Sequence, residues 1–233
     1  MAISLIASTS AASTNSATVT SPAINTTGAT LIVVISAAQN SSLTITDSVG
    51  NTWSNLTQVS SNGYQQIYYV VNPTTSASHT FSNSTSSYNP TICIMAFSGT
   101  ATSSAFDQQN TGTQNYGNTV QPGSVTPSVN NEVVITGMSA VNAVGTVTIN
   151  GSYSAPIGQA FNSGGSFNIA AYMSYLVQTS ATATNPTWSF TTTDGAQASI
   201  ATFKAPSASG TIIPLPWMNT TGGMQDMTGG MHG

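Results

Sequence analysis

Charged residues are scarce in this sequence. Only 3% of its 233 residues are charged, with Lys204 the single base against five acids, namely Asp47, Asp107, Glu132, Asp194 and Asp226. One base cannot neutralise a row of phosphates, which excludes nucleic-acid binding and, by the same reasoning, attachment to an anionic membrane surface. Uncharged polar residues must therefore solvate the surface, and such a surface suits a tightly repeated assembly because neighbouring copies do not repel.

Cysteine and long apolar runs are also scarce. Cys93 is the only cysteine and lies in the apolar run TICIMAF, so it cannot form an internal disulfide and we expect a small buried hydrophobe. No run approaches the roughly 18 apolar residues of a membrane span. The first residues lack a base, and their apolar run of about five is shorter than the roughly 7–15 of a signal peptide. We therefore predict no signal peptide and a first strand over residues 3–8.

The pattern of the chain is that of β-structure throughout. Segments rich in Val, Ile, Thr, Tyr and Phe alternate with Gly, Pro, Asn and Ser, and no useful stretch has the 3.6-residue period of a helix. Hydrophobic residues make up 39% of the chain, enough to build a core. The sequence therefore predicts an all-β fold.

An internal repeat divides the chain into two halves. Five segments recur in the same order: residues 21–34 with 123–135, 35–46 with 138–150, 67–71 with 172–177, 79–81 with 188–190, and 92–97 with 198–203. Residues 1–206 are therefore predicted to be a duplicated β-sandwich, with repeat 1 over about 1–104 and repeat 2 over about 105–206. Two arrangements fit: halves interleaved into one jelly-roll-like sandwich with a pseudo-twofold, or two tandem sandwiches. The absence of a linker favours the interleaved single domain.

Several motifs point to a family. They are TDSVGNTW at residues 46–53, YYVVNP at 68–73, HTF at 79–81, ICIMAFSG at 92–99, FDQQN at 106–110 and PGSVTPSVNNEVV at 122–134. In this order they resemble duplicated β-sandwich proteins of tailed phages and bacteria. The resemblance covers roughly residues 18–205 and implies a virion or surface setting without enzymatic activity.

The corner around Asp47 has two interpretations. Asp47 and Asn51 bracket Ser-Val-Gly, so their oxygens are compatible with a calcium loop, but six to eight oxygen ligands are usual and only one carboxylate is present. The favoured interpretation is a turn in which both side chains bond the backbone and Gly50 takes a positive φ. Trp53 then packs into the core.

The other acids do not form a clear catalytic pattern. Asp107 and Asp194 are compatible with the paired carboxylates of a glycosidase, but both are better interpreted as turn or edge residues. Glu132 precedes an apolar strand and is interpreted as a charge that discourages edge pairing.

No cofactor or metal site is predicted from the remaining polar residues. His79 and His232 lack ligand spacing and a nucleophile with an orienting acid, so His79 is expected to be a strand residue with a satisfied ring. Exposed tyrosines among amide-rich loops are compatible with sugar binding. The candidates are Tyr64, Tyr68, Tyr69, Tyr88, Tyr116, Tyr153, Tyr172 and Tyr175.

Residues 207–233 differ in composition from the rest of the chain. They contain the run IIPLPWM and a repeated Thr-Gly-Gly-Met. We expect an extended arm that docks on a neighbouring molecule, with methionines filling irregular gaps. The predicted arm residues are Ile212, Ile213, Pro214, Leu215, Pro216, Trp217, Met218, Met224, Met227 and Met231.

Together these features predict a non-enzymatic structural protein of a tailed-phage virion, specifically an exterior capsid decoration protein. Its expected partners are copies of itself or other virion proteins, and its expected location is the virion surface after synthesis in the host cytoplasm. The alternative is a carbohydrate-binding adhesin module of a tail fibre or cell surface.

Overall fold

The computed structural model describes residues 2–13, 16–39, 42–86, 89–141, 144–160 and 169–207. Within these ranges the chain forms antiparallel strands and no helix, so it has no helix long and apolar enough to cross a membrane there. The strands of the first half are β1 Ser4–Ala12, β2 Thr18–Thr20, β3 Leu31–Ala38, β4 Thr44–Asp47, β5 Ser54–Asn55, β6 Val59–Ser60, β7 Tyr64–Val71, β8 Phe81–Ser84 and β9 Thr91–Ser98. Those of the second half are β10 Phe106–Val120, β11 Glu132–Val141, β12 Val147–Ile149, β13 Ile157–Ala160, β14 Ile169–Gln178 and β15 Trp188–Phe203.

Each half forms its own main sheet, and both sheets have the same strand order. In the first half the order is β1-β9-β3-β7-β5, with β6 also on β7, and in the second it is β10-β15-β11-β14-β13. The first half adds a small outer sheet, β2-β8-β4. In the second half the long strands β10 and β15 extend beyond the main sheet, and their far ends form the outer layer with β12.

The largest core lies between the two main sheets. Alternate residues of β3, among them Leu31, Val33 and Ile35, share a buried cluster with Val133 and Ile135 of β11. The other face of each sheet packs on its own outer layer, around Phe81 in the first half and Trp188 in the second. This explains why β3 reads as a continuous apolar run: all eight of its residues are buried, on two faces.

The prediction of an all-β sandwich with two halves is confirmed. The favoured interleaving is not what the structure has, because every strand ladder among the described residues pairs strands of the same half. Each half contains all the strands that its sheets need, and it leaves one apolar face that the other half covers. The halves are thus two small sandwiches that share a third core.

The halves are related by a pseudo-twofold axis. Leu31 pairs with Phe97 and Val133 pairs with Phe203, so the two pairs occupy equivalent places in the two sheets. Edge strand β1 lies near β13, and edge strand β10 lies near β6, which is the reciprocal arrangement that a twofold produces. The duplicated chain is therefore built like a symmetric dimer joined end to end.

Candidate functional site

Three of the six Asp, Glu, Lys and Arg residues meet at one end of the second-half sheet. Asp107 is the second residue of β10, Glu132 is the first of β11, and Lys204 directly follows β15. Because β15 lies between β10 and β11 in the sheet, the ends of three adjacent strands bring these side chains together. In a chain with so few charges, this concentration marks the candidate site.

Asp107 is held by three donors. Lys204 Nζ lies 3.0 Å from Oδ1, and the Ser128 hydroxyl donates to the same oxygen at 2.8 Å. The backbone N–H of Ser128 donates to Oδ2 at 2.7 Å. The Asp107 side chain is 8% exposed and that of Lys204 33%. Burial alone would raise the pKa of Asp107, but the Ser128 donors and Lys204 together lower it, so Asp107 is the more readily ionised of the two carboxyl groups in the cluster.

Glu132 is wholly buried, and only one of its two carboxyl oxygens has a hydrogen-bond partner. Its Oε1 accepts the backbone N–H of Val129 at 3.2 Å, while Oε2 has no hydrogen-bond partner. Burial, with a further contribution from the neighbouring Asp107 carboxyl, raises its pKa, although Val129 and the nearby Thr202 oppose the rise. Glu132 therefore keeps its proton to a higher pH than an ordinary glutamate, and the interpretation of it as a guard of a sheet edge is wrong because β11 is a central strand.

The backbone fixes Lys204 on both sides. Its N–H donates to the carbonyl of Ala105 at 2.8 Å, and its own carbonyl accepts the N–H of Ala101 at 2.8 Å. A cavity of about 330 Å³ opens beside it, lined by Val129, Asn130, Asn131, Ala205, Pro206 and Ser207. The ammonium group is therefore partly accessible while its main chain is anchored.

The first half has no equivalent of this cluster. Since Leu31 corresponds to Val133 and Phe97 to Phe203, Thr30 stands in the place of Glu132 and Ser98 in that of Lys204. Thr30 bonds the Thr100 hydroxyl at 2.7 Å, so neutral groups close this end of the first sheet. The charges are thus not required by the repeated architecture.

Asp107 and Asp194 do not form the paired carboxylates of a glycosidase, the interpretation that the sequence disfavoured. Asp194 lies within β15 opposite Gly117, rather than in a turn, whereas Asp107 lies at the end of the ladder where Phe106 pairs with Phe203. Along β15, Asp194 lies nine residues before Phe203, which is about 30 Å at roughly 3.3 Å per residue. Glycosidases need their two carboxyls within about 10 Å. The carboxyl beside Asp107 is instead Glu132.

The Asp47 corner is the predicted turn. Oδ1 accepts the N–H groups of Val49 and Asn51 at 2.9 and 3.2 Å, and Gly50 has a φ of 75°. Oδ2 accepts the indole N–H of Trp53 at 3.0 Å. Burial alone would raise the pKa of Asp47, but the donors from Val49 and Asn51, with His79 nearby, lower it. Both carboxylate oxygens are therefore bound by the protein itself.

His79 has partners that the sequence did not reveal. Its Nε2 lies 3.4 Å from Asp47 Oδ1, its Nδ1 lies 2.9 Å from the hydroxyl of Thr26, and its ring stacks on Phe81 with centroids 4.2 Å apart. These are the residue types of a hydrolytic triad, but Thr26 and His79 are both 0% exposed, and Thr26 also bonds Ser76 O. The group joins the end of β4 to the segments that hold Thr26 and His79, and it has no access to a substrate. The pairing of Asp47 in β4 with Phe81 in β8 brings Asp47 close to His79, and no local sequence signal predicts that pairing.

The tyrosines are mostly packing residues. Tyr68 faces the outer core, where its hydroxyl donates to Leu43 O at 2.8 Å, while Tyr69 faces the main core, because successive side chains of a strand point to opposite faces. Tyr116 is the exception, 82% exposed on edge strand β10. A second cavity, of about 360 Å³, is lined by Ser152, Ser154, Tyr175, Leu176 and Val177. Tyr88 lies outside the described residues.

Within the described ranges, no three His, Cys, Asp or Glu side chains group so as to hold a metal ion. The predicted arm residues from Ile212 to Met231, together with Asp226 and His232, all lie outside the described residues. No family model, no curated protein and no solved structure matches the chain.

Proposed function

We propose that the chain is a non-enzymatic structural protein of a tailed-phage virion, an exterior component of the decoration type. The observation that carries the proposal is the shared core, which buries a whole face of each main sheet. The large hydrophobic side chains left exposed in the described part of the chain are only Ile6, Tyr116 and Val129. Such a body is a rigid block with a neutral polar surface, and copies of it can crowd together without charge repulsion.

The ionisable groups support a passive role. The carboxylate of Asp47 is occupied by the protein's own N–H donors, and that of Asp107 by Ser128 and Lys204. His79 is wholly buried. A general acid or base must reach a substrate proton, and neither Asp47 nor His79 lies in such a position.

The virion setting is supported by the resemblance to duplicated β-sandwich proteins of tailed phages. In this proposal residues 207–233 tie one copy to its neighbours or to another virion protein. Such an extended apolar segment would bind by laying its prolines and Trp217 into a groove of the partner.

The test compares the full chain with a chain truncated after Pro206. The full chain should self-associate, or bind purified particles of the encoding phage, while the truncated chain should remain monomeric in native mass measurements and keep the β-sheet circular dichroism of the parent. Quantitative mass spectrometry of the particles should count many copies each. Equal assembly by both chains would contradict the role of the arm, and absence of the chain from the particles would contradict the virion role.

Tyr116 supports a second candidate, a carbohydrate-binding adhesin module. An exposed aromatic ring among amide and hydroxyl side chains is a surface on which a sugar can stack. A glycan array should then show binding that Tyr116→Ala abolishes and Tyr116→Phe, which keeps the ring, retains. An array without any bound glycan would dismiss this candidate.

A further inference from the structure

We propose that the protein forms an internal amide bond between Nζ of Lys204 and Cγ of Asp107, with Glu132 as the proton carrier. This cross-link would be a self-made modification, and it stands whether or not the protein belongs to a virion.

The two reacting groups are already in contact. Lys204 Nζ lies 3.0 Å from Asp107 Oδ1, and the residues before them, Phe106 and Phe203, pair directly across the β10–β15 ladder. The backbone of Lys204 is anchored to Ala101 and Ala105. Groups held together in this way react with a high effective concentration, because the entropy of bringing them together is lost during folding.

The arrangement is also specific to this place. Lys204 is the only lysine of the chain, yet it lies beside Asp107 rather than in open solvent. The equivalent positions of the first half carry Thr30 and Ser98, so the fold itself does not need charges there. The ionic contact is therefore particular to the second half.

The reaction balances without another reagent. The Lys204 ammonium group first gives up a proton, which passes to a carboxylate oxygen of Asp107, and the freed nitrogen lone pair then attacks Cγ of Asp107 and forms the C–N bond. One Cγ–O bond then breaks, and the oxygen leaves as water with two protons that come from the ammonium group. No group is oxidised or reduced, and the products are one amide and one water.

Glu132 meets the requirement for the proton carrier. Protons must pass from the lysine nitrogen to the departing oxygen, and a neutral carboxyl can give one and take one in turn. Glu132 is wholly buried beside Asp107, and its Oε2 has no partner. Burial raises its pKa, which favours the protonated form that begins the cycle. When Glu132 is protonated, its O–H can also donate a hydrogen bond to the carboxylate of Asp107.

The bond would join the first strand of the second half to the residue after its last strand. Edge strand β10 would then be covalently fixed to the segment that follows β15, three residues before the described part of the chain ends at Ser207. A pull on the chain after Lys204 would pass through the side chain of Lys204 directly to β10, in addition to the hydrogen bonds of the ladder.

The first test is the intact mass of the full chain under denaturing conditions. The mass should be lower than the sequence mass by one water, both after purification and after prolonged incubation of the folded protein. In Asp107→Asn the same bond should release ammonia instead, so that variant should be lighter by one ammonia. Lys204→Arg and Glu132→Gln should keep their full sequence masses.

Trypsin gives an independent test, because the chain has one lysine and no arginine. After denaturation, an unmodified chain is cut once, after Lys204, whereas a chain with Lys204 in an amide bond stays whole. Lys204→Arg keeps a cleavable residue and cannot form the bond, so its complete cleavage is the matched control. Circular dichroism confirms that each variant was folded before denaturation.

Dehydration at Asp194-Gly195 through a succinimide would imitate the mass change. Asp194→Ala should therefore lose water as the parent does and resist trypsin as the parent does. A parent chain that keeps its full mass and is cut by trypsin overturns the proposal, as does water loss that persists in Lys204→Arg. Cross-linking at the parental level in folded Glu132→Gln would contradict the role of Glu132.

Discussion

Ile35 of the first half fills the space that Gly137 of the second half leaves open. A Cβ on Gly137 would lie 2.6 Å from Ile35 Cδ1 and 2.8 Å from Gln65 Nε2. The two positions are equivalent in the repeat, since Ile35 pairs with Cys93 and Gly137 pairs with Ser199 at the same level of the two sheets. Equivalent residues that touch one another lie on the pseudo-twofold axis. Two isoleucines would collide there, so the duplicated chain places a large residue against a small one.

The axis contact predicts a double-mutant cycle. Gly137→Ala should destabilise the fold by about 1–3 kcal/mol through overpacking, and Ile35→Val by about 0.5–1.5 kcal/mol through lost burial. Ile35→Val removes Cδ1 but keeps Cγ1, which would lie 2.7 Å from the same Cβ, so the double variant should recover part of the overpacking cost, with a coupling of about 0.5–1 kcal/mol. Urea unfolding followed by tryptophan fluorescence measures all four chains. Strict additivity would show that the two residues do not meet.

The repeat was readable from sequence, but its register was not. The sequence matched Ser36 with Ser139, whereas the structure makes Ser139 the equivalent of Ala37, because Ala37 pairs with Thr91 and Ser139 with Gln197 at the same level. A one-residue slip turns every side chain to the other face of a strand. When both faces are buried and apolar, as in β3 and β11, the sequence contains no alternation that would reveal such a slip.

The charged cluster could not be predicted for a related reason. Asp107, Glu132 and Lys204 are far apart in sequence and meet only because β15 inserts between β10 and β11. Strand order in an antiparallel sheet depends on long-range packing rather than on local pattern. By contrast, the Asp47 turn was predictable, because its hydrogen bonds run to Val49 and Asn51, within one five-residue segment.

Cys93 should report when the two halves separate. Its side chain is 0% exposed, and its Sγ–H donates to the carbonyl of Ala171 across the shared core at 3.3 Å. A thiol reagent should therefore modify it only through opening of the halves, about a thousandfold or more slowly than an exposed thiol. Thr20→Cys in a Cys93→Ala chain supplies the exposed control. Equal rates for the two thiols would mean that the shared core opens freely.

Asp47 should stabilise the fold at neutral pH and cease to do so in acid. The folded-state pKa of Asp47 is lowered, since the donors from Val49 and Asn51 outweigh burial, so its contribution is full above its ordinary pKa and is lost as pH falls through the folded value. In Asp47→Asn one carboxylate oxygen is replaced by an NH₂ group, which cannot accept a hydrogen bond from the N–H donors. The variant should therefore lose about 1–3 kcal/mol of unfolding free energy at neutral pH.

The measurement for Asp47 is the urea midpoint of parent and variant across the acid range, and the gap between them should shrink as the pH falls. Asp194→Asn, with the same change in net charge but in the other half, is the matched control. A gap that is constant with pH would contradict the role assigned to the ionised carboxylate.

Glu132 should have the opposite pH dependence, seen best in a Lys204→Arg background that cannot form an amide bond. Burial raises its folded-state pKa, so the stability it contributes is full below its ordinary pKa and is lost as pH rises through the folded value. Glu132→Gln is neutral at every pH and should therefore match its parent in mild acid but exceed it at higher pH by about 1–3 kcal/mol, the cost of a buried unsatisfied group. Asp107 is charged throughout this range because its pKa is lowered, so it does not mask the effect. Urea unfolding of both chains from about pH 5 to pH 8 measures this difference in stability. If the Glu132→Gln variant instead loses stability relative to its parent as the pH rises, the charged Glu132 carboxylate must have hydrogen-bond partners in the folded state.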